Sequence, residues 1–218
     1  MKVFGLIVVG CFSILNIAVA DLIAMWDFGL TSTYTESVTV DNAVGIPTLT
    51  GMSAGSGYDS DGQGGTDFTD AEGLLHPAGQ ALAWASGVND GNQEWVLSID
   101  LTGYQDLSIR WDYRSTSSGP NSAVLDYKVG SGNWTTLENL SITQGTAYHS
   151  YSKNLSSISA IENQSSVQFR LSGFSGGSGS GTYRVDNLEV TGIPEPAAIG
   201  LIGMVGVGLL FVRRIFRI

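Results

Sequence analysis

The residues of this 218-residue chain that could bind or react lie in its middle. Asp59, Asp61, Asp67 and Asp70 fall within YDSDGQGGTDFTD, a glycine-rich run of the hard oxygen donors that Ca²⁺ takes. The alternating D-x-[DN]-x-[DN]-G pattern with a glutamate at its twelfth position is absent, so the run reads as a solvated acidic loop. Six aromatics, Trp84, Trp95, Trp111, Trp134, Tyr104 and Tyr113, offer rings on which a sugar could stack. Trp95 and Trp111 alternate with aliphatic residues and belong to a core. Trp134 and Tyr104 stand at turns, where a ring is more easily exposed, and are the candidate ligand aromatics; packing across a turn is the competing reading.

Catalytic patterns are missing. His76 and His149 have no HExxH spacing, and the chain has no G-x-S-x-G elbow, P-loop or dinucleotide fingerprint. Paired carboxylates for glycoside hydrolysis depend on spatial pairing, which sequence does not reveal. No residue is therefore assigned a catalytic role, and the chain is expected not to be an enzyme.

The elements that must position these side chains show a period of two. EWVLSIDL puts Trp95, Leu97, Ile99 and Leu101 on one face, and QDLSIRWDY does the same for Leu107, Ile109, Trp111 and Tyr113. Between them Gly103 makes a turn. AVLDYKV alternates likewise and ends in GSGNW, a hairpin turn that returns through Trp134 to Leu137. SVQFRLSGF sends Val167, Phe169 and Leu171 inward, and TYRVDNLEV forms the last strand. Residues 155–162 allow one helical turn. Short strands with turn signals every eight to twelve residues predict an all-β fold, a β-sandwich.

Residues 21–193 hold 19 acids and six bases, a formal charge of −13. That field disfavours nucleic acid as a partner, since phosphate is neutralised by Lys and Arg. The single cysteine, Cys11, lies in the N-terminal apolar run, so the remainder has neither thiol nor disulfide.

The two ends read as targeting segments. Residues 1–20 carry Lys2, an apolar stretch, and small residues Ala18 and Ala20 ahead of Asp21, the pattern of a signal helix cleaved before Asp21. VVGC at residues 8–11 offers a lipobox as the alternative, but the apolar run before Cys11 is short. Residues 193–218 begin with Pro194, Glu195 and Pro196, continue through the apolar run 197–212, and close with Arg213, Arg214 and Arg217. As a helix that run is about 24 Å long, slightly short of a roughly 30 Å hydrocarbon core. The arginines place its far end in the cytoplasm and the domain outside. An anchor that is never cut is the plainer alternative.

This order of parts resembles the PEP-CTERM sorting signal. The resemblance covers only about the last 26 residues. It implies a membrane, an exosortase-type processing enzyme as partner, and an exported protein held at the bacterial inner membrane until it is processed to the surface or released. The four sequons at Asn133, Asn139, Asn154 and Asn163 are incidental in a bacterial setting.

Residues 21–192 broadly resemble secreted jelly-roll modules of the carbohydrate-binding or lectin-like sort. In such modules the first and last strands often lie side by side, so Asp27 and Asp186 are the candidate ligands of a structural Ca²⁺. The alternative is that Asp186 and Asn187 bond backbone amides at a bulge while Asp27 merely ends a strand. The expected function is that of an exported surface or matrix protein with a structural or adhesive role. A carbohydrate-binding module for extracellular polysaccharide is the alternative, and a glycan-active enzyme a more remote one.

Overall fold

The computed structural model describes residues 20–26, 38–39, 48–50, 66–69, 73, 75–76, 81–84, 93–178 and 181–195. Among these, alternating apolar residues build two antiparallel sheets with a shared core between them, a β-sandwich.

The first sheet runs β11 (His149–Asn154), β8 (Tyr104–Ser115), β13 (Tyr183–Pro194), β1 (Asp21–Trp26), β2 (Val38–Thr39), and β6 (Leu82–Trp84) also pairs with β13. The second runs β10 (Thr135–Ser141), β9 (Ser122–Val129), β12 (Val167–Ser175), β7 (Trp95–Ile99), β3 (Thr48–Thr50). A small separate pair joins β4 (Phe68–Thr69) to β5 (Leu75–His76). The first and last long strands lie side by side, with Met25 opposite Glu189. A one-turn 3₁₀ helix, Ser159–Ile161, falls within the segment expected to hold a helical turn. Among the described residues no helix is long and apolar enough to cross a membrane. The signal segment 1–19 and the run 197–212 lie outside the described residues.

The period-two faces are where the sequence puts them. Leu107, Ile109, Trp111 and Tyr113 of β8 face Trp95, Leu97 and Ile99 of β7 and Phe169 and Leu171 of β12 in one cluster. At its centre Trp95 and Trp111 meet edge to face, centroids 5.6 Å apart, and Trp111 packs on Tyr151 at 4.2 Å. β7 and β8 are consecutive but belong to different sheets. Gly103, at φ +82, takes the left-handed turn between them at no Cβ cost.

The sandwich closes along one side where edge strands β10 and β11 meet. Lys153 Nζ lies 2.7 Å from Glu138 Oε2, and the Tyr151 hydroxyl donates to the same oxygen at 3.1 Å. The Lys153 hydrogen bond, foremost, lowers the Glu138 pKa against the opposing effect of partial burial. A depressed carboxylate pKa contributes stability above its unfolded value of about 4.3, and that contribution fades as pH falls through the folded value. Both side chains are about a third exposed, so the contribution is at most about 1 kcal/mol. The melting-temperature gap between the native chain and Glu138→Gln is expected to be small but positive near neutrality, to begin to narrow as pH falls below about 4.3, and to vanish once pH has passed the lowered folded value. A gap independent of pH would assign the effect to packing instead.

Candidate functional site

The outward face of the five-stranded sheet collects polar side chains by register. One row crosses the sheet through Thr136, Asp126, Arg170 and Val96, each paired with the next. The neighbouring row runs through Lys128, Gln168, Ser98 and Thr48. Five strands at about 4.8 Å spacing make this face roughly 19 Å across, long enough for an oligosaccharide.

Asp126, 4% exposed, holds the first row together. Its Oδ2 accepts Arg170 Nη2 at 2.7 Å and Nε at 3.2 Å, and its Oδ1 accepts the Thr136 hydroxyl at 2.8 Å. Arg170 Nη1 is also 3.7 Å from Glu94 Oε2. In the second row Gln168 Nε2 donates to Ser98 Oγ at 2.8 Å.

At one end of both rows lies Trp134, half-buried where the chain enters β10. Lys128 Nζ stands 4.6 Å from its ring centroid and the Arg170 guanidinium carbon 4.3 Å. Each contact contributes roughly 0.5–1 kcal/mol at a partly exposed site. Two of the six bases of residues 21–193 thus converge on one indole in an acidic domain. The guanidinium is itself fixed by Asp126, so the ring is positioned before any ligand arrives, which reduces the ordering cost of binding.

Tyr104, the other ligand aromatic expected from sequence, is only 7% exposed. It starts β8 rather than ending a turn, paired with Pro194, and its ring belongs to the core. Burial, and after it the charge of Asp21, raises its phenol pKa. It is not part of the sheet face that carries Trp134, and the glycine turn that suggested exposure ends one residue before it.

Asp186 gives both carboxylate oxygens to backbone N–H groups: Oδ2 accepts Thr66 N at 2.8 Å and Oδ1 accepts Asn187 N at 3.0 Å. It stands at a register shift of β13 against β8, and Asn187 follows at φ +50. Among the described residues the Asn187 side chain bonds no backbone amide: its Nδ2 donates to Thr66 O at 3.1 Å and to Asp112 Oδ2 at 2.9 Å. Asp27 lies outside the described residues. Among the described residues, no three of His, Cys, Asp and Glu gather where they could hold a metal ion. Of the acidic loop, Asp67 is described and exposed, while Asp59, Asp61 and Asp70 are not among the described residues.

Of the terminal residues, Ala20 is exposed and Asp21 opens β1 opposite Gly192. Pro194 is the last residue of β13, and Glu195 N donates to Gly103 O at 2.7 Å. Ala18, Pro196, Arg213, Arg214 and Arg217 lie outside the described residues.

What sequence reasoning missed is the company of Trp134. Its partners come from β9 and β12, whose charged residues read individually as solvated outward positions. The signal available was the scarcity of bases: with so few in the domain, each one is worth placing.

No family model matches the chain, and no curated protein does. Solved structures of similar outline include the CBM22-1 xylan-binding domain of Paenibacillus barcinonensis Xyn10C, at 13% identity and a TM-score of 0.43, covering 83% of this chain and 99% of that one. The xylan-binding module CBM15 aligns at 11% identity and a TM-score of 0.41, covering 69% and 99%. The module TmCBM61, solved with β-1,4-galactotriose, aligns at 10% identity and a TM-score of 0.37, covering 66% and 86%. Likenesses this distant carry nothing about what the present chain binds.

Proposed function

We propose that this is an exported, non-catalytic surface protein whose jelly-roll-type sandwich holds a polysaccharide across its five-stranded sheet. The observation that carries the proposal is the pinned indole of Trp134 at the end of two polar rows. Sugar rings present an apolar C–H face and a rim of hydroxyls, and an indole beside amide, hydroxyl and guanidinium groups meets both. The formal charge of −13 disfavours polyanions, so the glycan is a neutral one. Holding matrix polysaccharide at the surface would be the adhesive role itself. Saturable retardation of the protein in gels containing a neutral polysaccharide is the expected result, and unretarded migration through a panel of such gels would refute it.

The tail is the second half of the proposal. Pro194, Glu195 and Pro196, the apolar run and the terminal arginines address the protein to the membrane, where an exosortase-type enzyme processes it. Because Pro194 pairs with Tyr104 and Glu195 with Gly103, cleavage at the motif requires the end of β13 to detach first. Intact-mass measurement of the exported product is expected to place one end at Asp21 and the other within or just beyond the motif. A mass that retains both apolar termini would contradict the targeting half and leave the sheet face unaffected.

A further inference from the structure

The opposite face of the sandwich carries a polar cavity of about 330 Å³ that the proposed glycan platform does not use. Its floor comes from β8 and β11 and the residue before β11: Arg110, Asp112, Ser150 and Tyr148. Its wall is the segment holding Thr66, Asp67 and Thr69. The volume sits at the small end of the roughly 300–1,000 Å³ found for small-molecule pockets.

The cavity is built rather than incidental. Asp112, 4% exposed, accepts hydrogen bonds from the Ser150 hydroxyl and from Asn187 Nδ2, the latter at 2.9 Å. Asn187 Nδ2 also donates to Thr66 O at 3.1 Å, and Thr66 N donates to Asp186. One bulge in β13 therefore ties wall to floor. Asn187 holds a left-handed backbone to do so, a conformation that costs energy in any residue with a side chain and persists only where the surroundings fix it.

The lining chemistry narrows the occupant. Asp67 and Asp112 repel phosphate and other anions. Arg110 Nη2, 3.8 Å from Asp112 Oδ1, offsets one of these two negative charges and so weakens the pull on a divalent cation. Tyr148 has its pKa pushed up to about 12, by burial first and then by Asp186, so its phenol stays protonated at working pH. What remains is a compact set of donors and acceptors with one carboxylate in excess of its single guanidinium and four hydroxyls around them, which suits a neutral polyol.

We propose that this cavity is a second binding site, taking a single neutral sugar residue, on the face opposite Trp134. With the platform it would make the domain two-sided, able to bridge two glycan chains. The site stands independently of the platform, since no residue is shared between them.

The test is an NMR titration of the full-length chain, in a non-glycosidic detergent, with glucose, galactose, mannose and xylose in turn. At least one sugar is expected to shift the Tyr148 and Ser150 resonances saturably. Ser150→Phe, which fills the cavity from an edge strand, should abolish that response. Should that variant misfold, Ser150→Ala should weaken the response several-fold while leaving the Trp134 indole signal in place. Shifts confined to Trp134, no response to any of the four sugars, or an unaltered response in both variants would overturn the second site. The same resonances moving with Ca²⁺ and not with sugar would overturn it as well. Loss of polysaccharide binding in Trp134→Ala with the Tyr148 response retained would show that the two sites stand or fall separately.

Discussion

Replacing Trp134 with alanine is expected to weaken polysaccharide binding at least about thirtyfold while leaving the fold intact. The ring is half-buried on a sheet surface, so its removal opens no core cavity. It is the sole aromatic described at that end of the two rows, and truncating a dominant aromatic anchor commonly costs about 2 kcal/mol or more. Its loss also releases Lys128 and Arg170 from their ring contacts. Equilibrium binding to a neutral oligosaccharide, with circular dichroism as the folding control, measures both halves. Unchanged affinity in a folded variant would remove Trp134 from the site.

Replacing Trp111 with alanine is expected to do the opposite, damaging stability first. Trp111 is fully buried, meets Trp95 edge to face, packs on Tyr151, and donates its Nε1 hydrogen to the Tyr183 hydroxyl at 3.3 Å. Removing a core tryptophan costs about 3–5 kcal/mol through lost transfer energy and the cavity left behind. The Tyr183 phenol, whose pKa burial raises, would also lose its neighbour in an apolar setting. At roughly 2–4 °C per kcal/mol for a domain of this size, the melting temperature should fall on the order of 10 °C. Trp111→Phe should lie between the two. A melt within a degree or two of the native value would mean that the two sheets do not depend on this contact.

Those contrasting expectations mark what the sequence does and does not disclose. Trp111 is legible as core because it alternates with Leu107, Ile109 and Tyr113 along a strand with one face in the core and one outward. The same rule serves β7, β9 and β12, and so yields a sandwich. It fails for β13, where ten consecutive residues are buried. Arg184 and Asp186 alternate with Tyr183 and Val185, but the register shifts after Asp186, and Arg184, Asp186, Asn187 and Glu189 are all buried polar residues. Only the folded structure brings Thr66 across that face, from 120 positions away in the chain. Tyr104 fails for a local reason: a positive-φ glycine marks a turn but does not say which neighbour has already joined a strand. Trp134 is legible as a residue of the hairpin, but its cationic partners depend on the register of three strands. Arg170 and the Asp126 that fixes it are 44 residues apart.

The platform and the cavity differ in how they could act. A flat face with one pinned indole suits extended chains that slide and bind weakly at many points. An open cavity sized for a single ring suits chain ends or branches. Both use backbone geometry set by the sandwich, and neither requires a moving part, so binding should show little dependence on conformational change.

The central claim is that a glycan lies over Trp134, and the indole N–H resonance of that residue reports on it directly. Assignment by Trp134→Phe and titration with a neutral oligosaccharide should shift that signal saturably, together with the Gln168 side-chain amide in the adjoining row. An oligosaccharide that binds with both signals unmoved, or a panel of neutral oligosaccharides that fails to bind at all, would contradict the account.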